Sequence, residues 1–272
     1  MNTWIRSAIV VLATGFVGFF GAWQASALVS TRGGLGPSIL QTISPISSIF
    51  AVLMTVGIAS LVGGFVARLT STTTGMFILG FSLFAMAMKL EGAREFILSG
   101  SNYSLLVLEA VFLSAVILLG ALVVFAIGGP MQCIQKTTSE DKLSVQIGKT
   151  LLISLAILPV IWFIANTPAK GQVIGASAVG GILIGVLSRQ FLRSTQPILL
   201  FALPLAFGGL GYFIGITISD TTPVAFAQRE MSPLLFPMPI EYAAGAIIGL
   251  AVGLGWTASI EENTSNEAKE AV

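Results

Sequence analysis

Apolar residues fall in long, almost uncharged runs, separated by short stretches rich in Gly, Pro, Ser, Thr and charge. Eight such runs can be read, at about 4–29, 46–67, 75–88, 103–127, 151–165, 173–187, 197–218 and 240–260. They are continuously apolar rather than alternating, which predicts helices and argues against the strands of a membrane barrel. A bilayer-spanning helix needs roughly 20 apolar residues. The third, fifth and sixth runs are short by that measure, so six or seven spans stand beside eight as readings.

Composition turns this pattern into a fold class. The chain has 272 residues, 55% hydrophobic and 9% charged, with a mean hydropathy of +0.94. A soluble domain carries about 25% charged residues to cover its surface. The expected fold is therefore an all-α polytopic membrane bundle of about eight transmembrane helices, with the lipid bilayer as its surroundings.

Charge and rare residues then remove whole classes of function. The net charge is +1 and no basic cluster is present, so no nucleic-acid partner is expected. One cysteine, Cys133, allows neither an intrachain disulfide nor a multi-Cys metal or iron–sulfur site. The absence of histidine removes His-ligated haem, most zinc and copper sites and His acid–base chemistry. No cofactor, no metal site and no catalytic constellation of nucleophile and base is predicted. Gly148–Thr150 spells GKT, but position 143 is Leu and the segment leads into a membrane helix, so it is not a phosphate-binding loop. Two glycosylation sequons, at Asn102 and Asn263, fall against the membrane and in the tail.

Lys and Arg set the expected orientation. Arg6, Arg68, Lys136, Lys142, Lys149, Arg189, Arg193 and Lys269 collect on one side, and Arg32, Lys89, Arg94, Lys170 and Arg229 on the other. The larger group places both termini in the cytoplasm of a cell inner membrane. A rival reading treats the first run, ending in "AWQASA", as a cleaved signal with an Ala-x-Ala site at Ala27. Against it, the apolar run continues through Leu28 and Val29.

Two stretches nearly repeat: Ala-Ser-x-Val-Gly-Gly occurs at 59–64 and again at 176–181. The neighbouring runs pair in the same order. Runs 3 and 7 each follow a Ser/Thr loop with arginine close by. Runs 1 and 5 each open beside one basic residue (Arg6, Lys149), and runs 4 and 8 each carry one glutamate early, Glu109 or Glu241. Four spans is an even number, so such halves would run the same way, as a parallel repeat about an axis along the membrane normal. The expected organisation is a first membrane half at 1–127, a cytoplasmic loop at 128–150, a second half at 151–260 and a disordered acidic tail at 261–272. The competing explanation is that Gly-rich helices resemble one another through composition alone.

Helices in lipid associate through close packing of small residues. Gly63 and Gly64 in run 2, Gly180, Gly181 and Gly185 in run 6, and Gly245, Gly249 and Gly253 in run 8 are the candidate packing positions. The plain reading is packing within one bundle; a homo-oligomer, a contact with other membrane subunits, or faces that slide around a substrate path are the alternatives. Pro159 and Pro204 lie inside runs and favour kinks.

A carboxylate inside a membrane is costly and is a functional candidate by default. Glu109 and Glu241 are the candidates for a substrate or ion path, with Glu109, deeper by more than a turn, the stronger. The plain reading for both is a helix-start carboxylate favoured by the helix dipole. Segment 89–104 carries Lys89, Glu91, Arg94 and Glu95 at spacings that suit local pairs on a solvated helix end. Segment 219–241 holds four prolines yet stays apolar around "PLLFPMP", and is expected to dip into the membrane surface.

The leading functional reading is a small transporter or permease of unidentified substrate. A structural or assembly subunit of a larger membrane complex is the second. A membrane enzyme acting on lipid or quinone is the third and weakest, and enzymatic activity is not the expectation.

Overall fold

The computed structural model describes residues 3–131, 143–192 and 197–270. Cys133, Lys136, Lys142 and Arg193, together with much of the loop between the two proposed halves, lie outside the described residues. Among the described residues the chain is all-α, with eight helical spans long and apolar enough to cross a membrane. It is a multi-pass membrane protein.

The helices are α1 (Thr3–Gln24), α2 (Pro45–Leu69), α3 (Thr72–Lys89), α4 (Ala93–Leu98), α5 (Tyr103–Gly128), α6 (Leu143–Leu155), α7 (Ile157–Ile164), α8 (Lys170–Phe191), α9 (Ile198–Ile218), α10 (Pro223–Gln228) and α11 (Pro239–Glu270). The runs that looked short gain length from flanking polar residues. Ser71 caps α3, its hydroxyl accepting from Thr74 N–H at 3.2 Å, so the helix starts at Thr72. In the same way α8 takes in Lys170 at one end and Phe191 at the other.

The fifth span is built from two pieces, α6 and α7, and covers Val145–Ile164. Pro159 has no N–H for the carbonyl of Leu155, and the helix breaks at Ala156. The expected kink is thus a one-residue turn at Ala156, which keeps right-handed backbone dihedrals, between two helical pieces. Pro204, by contrast, sits within a continuous α9.

Alternating spans place connections 25–44, 90–102, 165–169 and 219–238 on one face, the loop face. Connection 70–71 and the opposite ends of the spanning helices lie on the other, the termini face. α1 is the peripheral helix, with Leu12 73% and Phe19 75% exposed toward the lipid side. α11 is the central one: it packs along α8 and α3 and also meets α9 and α5. Among its described side chains Trp256 is the only large apolar one left exposed.

Glycines decide how closely these helices approach. A methyl group on Gly181 would strike the carbonyl of Ala246, and one on Gly245 or Gly249 the carbonyls of Ile174 or Ala178. One on Gly253 would lie 2.5 Å from the Ile182 carbonyl, and one on Gly185 2.9 Å from Leu254 N. α8 and α11 are therefore in backbone contact. Elsewhere, Gly63 lies against the Gly75 carbonyl and Gly64 against Ile127, while Gly180 makes room for Ile157 at the helix break.

Two expectations differ from this arrangement. "PLLFPMP" does not spread on the membrane surface: Leu234, Leu235, Phe236 and Met238 are buried inside the protein, packed on α7 and α9. A short apolar segment that can enter a bundle satisfies its side chains there, and the prolines reduce the number of buried N–H groups needing partners. The acidic tail also continues α11 as helix to Glu270, in keeping with the helix propensity of its Glu, Ala and Lys residues.

Candidate functional site

Both candidate glutamates are buried at the loop-face ends of their helices, Glu109 0% and Glu241 3% exposed. What surrounds each one differs.

Glu109 lies six residues beyond the first residue of α5, about 9 Å along the axis. Segment 28–44 folds over it. The Ser38 hydroxyl and Leu40 N–H (2.9 Å) donate to Oε1, and Ile39 N–H donates to Oε2 at 2.9 Å. The Ser38 hydroxyl also accepts from Gln41 N–H at 3.1 Å, which fixes the turn. Gln41 then makes a reciprocal pair with the backbone of Asn102, the N-cap of α5: Nε2 donates to the Asn102 carbonyl at 3.0 Å and Oε1 accepts its N–H at 2.7 Å. Gly33, at φ +87°, closes the turn that brings this segment back across the bundle. Both oxygens of Glu109 are thus engaged, and the side chain ties down a loop.

Glu241 is the third residue of α11, after Pro239 at the first helical position. Its Oε2 accepts from Met238 N–H at 3.1 Å, half of a capping box. Its Oε1 is buried and has no hydrogen-bond partner. Beside it, an ideal Cβ on Gly92 would sit 3.5 Å from Glu241 Oε1 and 3.7 Å from Lys170 Cε. The absence of that methyl leaves a gap between acid and base. Lys170, the first residue of α8, turns its Nζ onto the Ala87 carbonyl at 2.6 Å and so caps the end of α3. It feels the charges of both Glu241 and Glu91, yet no direct ion pair joins it to either. Glu91 Oε2 is a second buried oxygen without a partner.

Three buried tyrosines accompany these two places. Tyr212 of α9 is fully buried, donates its hydroxyl to the Pro237 carbonyl, and is within electrostatic reach of Glu241, Glu109, Tyr242 and Tyr103. The hydroxyls of Tyr103 and Tyr242 are buried without partners. Gly208 of α9 faces the Tyr242 ring, where a Cβ would lie 3.0 Å away, and Gly209 faces Ala110 at 3.3 Å. One helix thereby touches the residue after each glutamate.

Of the residues singled out from sequence, Glu109 and Glu241 are brought into one neighbourhood by Tyr212. The packing glycines lie along the helix contacts, Gly245 coming nearest the polar cluster, one turn beyond Glu241. The polar partners Lys170, Glu91, Tyr212, Tyr242 and Ser38 are not apparent from sequence, where Lys170 reads as a loop residue and Glu91 as part of a solvated helix end. Glu95 takes its partner from a different loop, Arg32 Nη1 at 3.1 Å, rather than from its own helix.

A groove of about 330 Å³ lies elsewhere, toward the termini face, between Thr73, Thr74 and Phe77 of α3 and Ala251, Val252, Gly255 and Trp256 of α11. It is ten residues, about 15 Å, along α11 from Glu241, and no carboxylate lines it. Among the described residues no group of three or more His, Cys, Asp or Glu is placed to hold a metal ion. No family model, curated protein or solved structure matches the chain.

Proposed function

We propose that this protein is a small transporter of the cytoplasmic membrane, with Glu241 as the ionisable residue of its path and Glu109 as the anchor of a covering loop. The observation that carries the reading is the buried, unpartnered oxygen of Glu241. An unsatisfied buried carboxylate is destabilising, and such groups within membrane spans mark ion or substrate pathways. The broken fifth span supports the same reading. Discontinuous helices flank midplane sites in transporters, and here α7 packs against the buried segment leading to Glu241.

The two halves of the bundle are proposed to be a parallel repeat. α1 packs on α2 and α3 much as the fifth span packs on α8 and α9; α2 packs on α5 as α8 does on α11; and α3 meets α11 as α9 meets α5. The relation is incomplete, since α2 lies along α3 whereas α8 and α9 make no comparable contact among the described residues. Superposing 1–127 on 147–260 tests it: four helices align in order, or the repeat is discarded. The sequence count of Lys and Arg in alternate connections, eight residues against five, supports cytoplasmic termini.

Flux through proteoliposomes tests the function. The purified protein is expected to pass at least one member of a panel of inorganic ions, amino acids and sugars. Glu241→Gln abolishes that flux, and Glu109→Gln retains part of it. No flux for wild type, together with stoichiometric co-purification of unrelated subunits in mild detergent, replaces this reading with that of an assembly subunit.

A further inference from the structure

We infer that Glu241 binds one proton at the loop face, and that Lys170 answers its loss by moving from the Ala87 carbonyl to the bared carboxylate. The inference deepens the transport reading, on which it rests for its purpose, by naming the proton as the ion that the Glu241 site takes.

The space beside the carboxylate sets the size of its ligand. An ideal Cβ on Gly92 would already stand in ordinary contact with both sides, 3.5 Å from Glu241 Oε1 and 3.7 Å from Cγ and Cε of Lys170. The opening between acid and base is therefore the size of a methyl group. A proton or the end of a neighbouring side chain fits there; a hydrated ion or an organic solute does not.

Hydrogen bonding says which oxygen carries the proton. Oε2 accepts from Met238 N–H at 3.1 Å, so the proton belongs on Oε1, the buried oxygen without a partner. A neutral carboxyl there strands one hydroxyl, whereas a carboxylate strands a charge, and the charge costs far more. The position of Lys170 agrees. Its ammonium is within electrostatic reach of Glu241, yet it is turned onto the Ala87 carbonyl at 2.6 Å. That is where a neutral Glu241 leaves it.

Loss of the proton changes the balance. The O–H bond at Oε1 breaks and the proton leaves to water at the loop face, past Lys170, which is only partly buried. The carboxylate then lies beside a cation whose stem borders the same opening, and pairing is the compensation a buried charge requires. Ala87 loses its cap in the exchange. It is among the last carbonyls of α3, and Glu91 N–H, next in helical order, is already bonded to the Leu35 carbonyl at 2.8 Å. Ionisation of Glu241 therefore loosens the end of α3. The other groups around the start of α11 act less directly. Glu91 acts on Lys170, Lys89 of α3 is exposed, and Arg189 lies at the far end of α8. Tyr212 of α9 is within reach of Glu241 and Tyr242, and also of Glu109 and Tyr103 of α5.

Infrared difference spectra of the full chain in detergent, acid against alkaline, test the proton. One protonated-carboxyl band is expected that disappears in Glu241→Gln and stays in Glu91→Gln. Lys170→Met removes the counter-charge and tightens proton binding on the order of tenfold, about one pH unit in the midpoint of that band. An environment-sensitive dye on Met88→Cys, in a Cys133→Ser background, tests the movement, since Met88 is exposed beside Ala87. Its emission is expected to change with the same midpoint. Gly92→Ala fills the opening, so it keeps the band and loses the dye response, and Lys170→Met loses the dye response as well. These two variants report even where Glu241→Gln misfolds. A carboxyl band whose midpoint ignores Lys170→Met overturns the proposal, as does a dye response that survives in Lys170→Met or a spectrum unchanged in folded Glu241→Gln. The proton-driven change without any flux in proteoliposomes keeps this inference and overturns the transport reading; flux of a solute with no band from Glu241 does the reverse.

Discussion

Glu109 and Glu241 occupy similar places, each near the loop-face start of a central helix and each buried, yet they are used in opposite ways. Three donors converge on Glu109, two of them backbone N–H groups of a loop distant in sequence. Glu241 receives one, from its own helix start, and keeps one oxygen idle next to a base that it does not touch. A carboxylate with both oxygens engaged by a distant loop is part of the scaffold, and moving it means moving the loop. A carboxylate with an unused buried oxygen is poised to accept something. Burial alone does not distinguish them; the count and origin of their donors do.

The comparison is broken or sharpened by substitutions of decreasing effect. Glu109→Ala leaves Ser38, Ile39 and Leu40 without an acceptor, each buried donor being worth roughly 1–3 kcal/mol when stranded. Partial solvation of the loop brings the expected loss to about 3 kcal/mol, read as a lower melting midpoint in detergent and faster amide exchange at residues 38–40. A midpoint like that of wild type would reduce Glu109 to a bystander. Glu109→Gln keeps one acceptor but turns an amide NH₂ toward a backbone donor, and is expected to cost about 1–2 kcal/mol. Glu241→Gln serves the single Met238 N–H with its amide oxygen, so its cost is expected to stay under about 1 kcal/mol while the proposed flux disappears. If the two Gln variants lose stability equally, the distinction between anchor and site fails.

Ser38→Ala removes one donor from Glu109 and the acceptor for Gln41 N–H, and should lower stability by about 1 kcal/mol without altering flux through the Glu241 side. Arg32→Ala breaks the half-exposed ion pair to Glu95. Such surface pairs contribute at most about 1 kcal/mol, and salt weakens them further. The midpoint should hardly move, and any shift should vanish in high salt. A large, salt-resistant loss would mean that the ion pair, not Glu109, holds segment 28–44 in place.

Much of the fold could be read from the chain because a membrane restricts the choices. With no water to satisfy backbone groups, an apolar run must be helical, and so the eight runs, even the short ones, are recognisable as spans. The positions of the two glutamates were legible for the same reason. Their roles were not. Glu109 is deeper in its run, which marked it as the more unusual residue, but its three donors come from residues 38–40, some seventy positions earlier in the chain. Lys170 looked like an ordinary loop cation in "NTPAKGQ", because nothing local reveals that α8 begins there or that its ammonium reaches Ala87 across the bundle. The buried course of "PLLFPMP" was hidden likewise, since an apolar loop can bury itself in lipid or in protein, and only the available space between α7 and α9 decides which. Pro159 and Pro204 show the limit of a local rule: the same residue type interrupts one span and leaves the other continuous.

The interruption at Ala156 has a mechanical consequence. An unbroken helix transmits a displacement from one end to the other, as α2, α3, α5, α8, α9 and α11 can. The fifth span cannot, because its thirteen-residue and eight-residue pieces meet at a joint without the continuous hydrogen bonding of a rod. Through its contact with α7, a push on the segment leading to Glu241 is absorbed at mid-membrane. The same push delivered through α11 meets no such joint before Trp256. The bundle thus has one stiff and one compliant route between its faces, and Glu241 sits at the head of the stiff one.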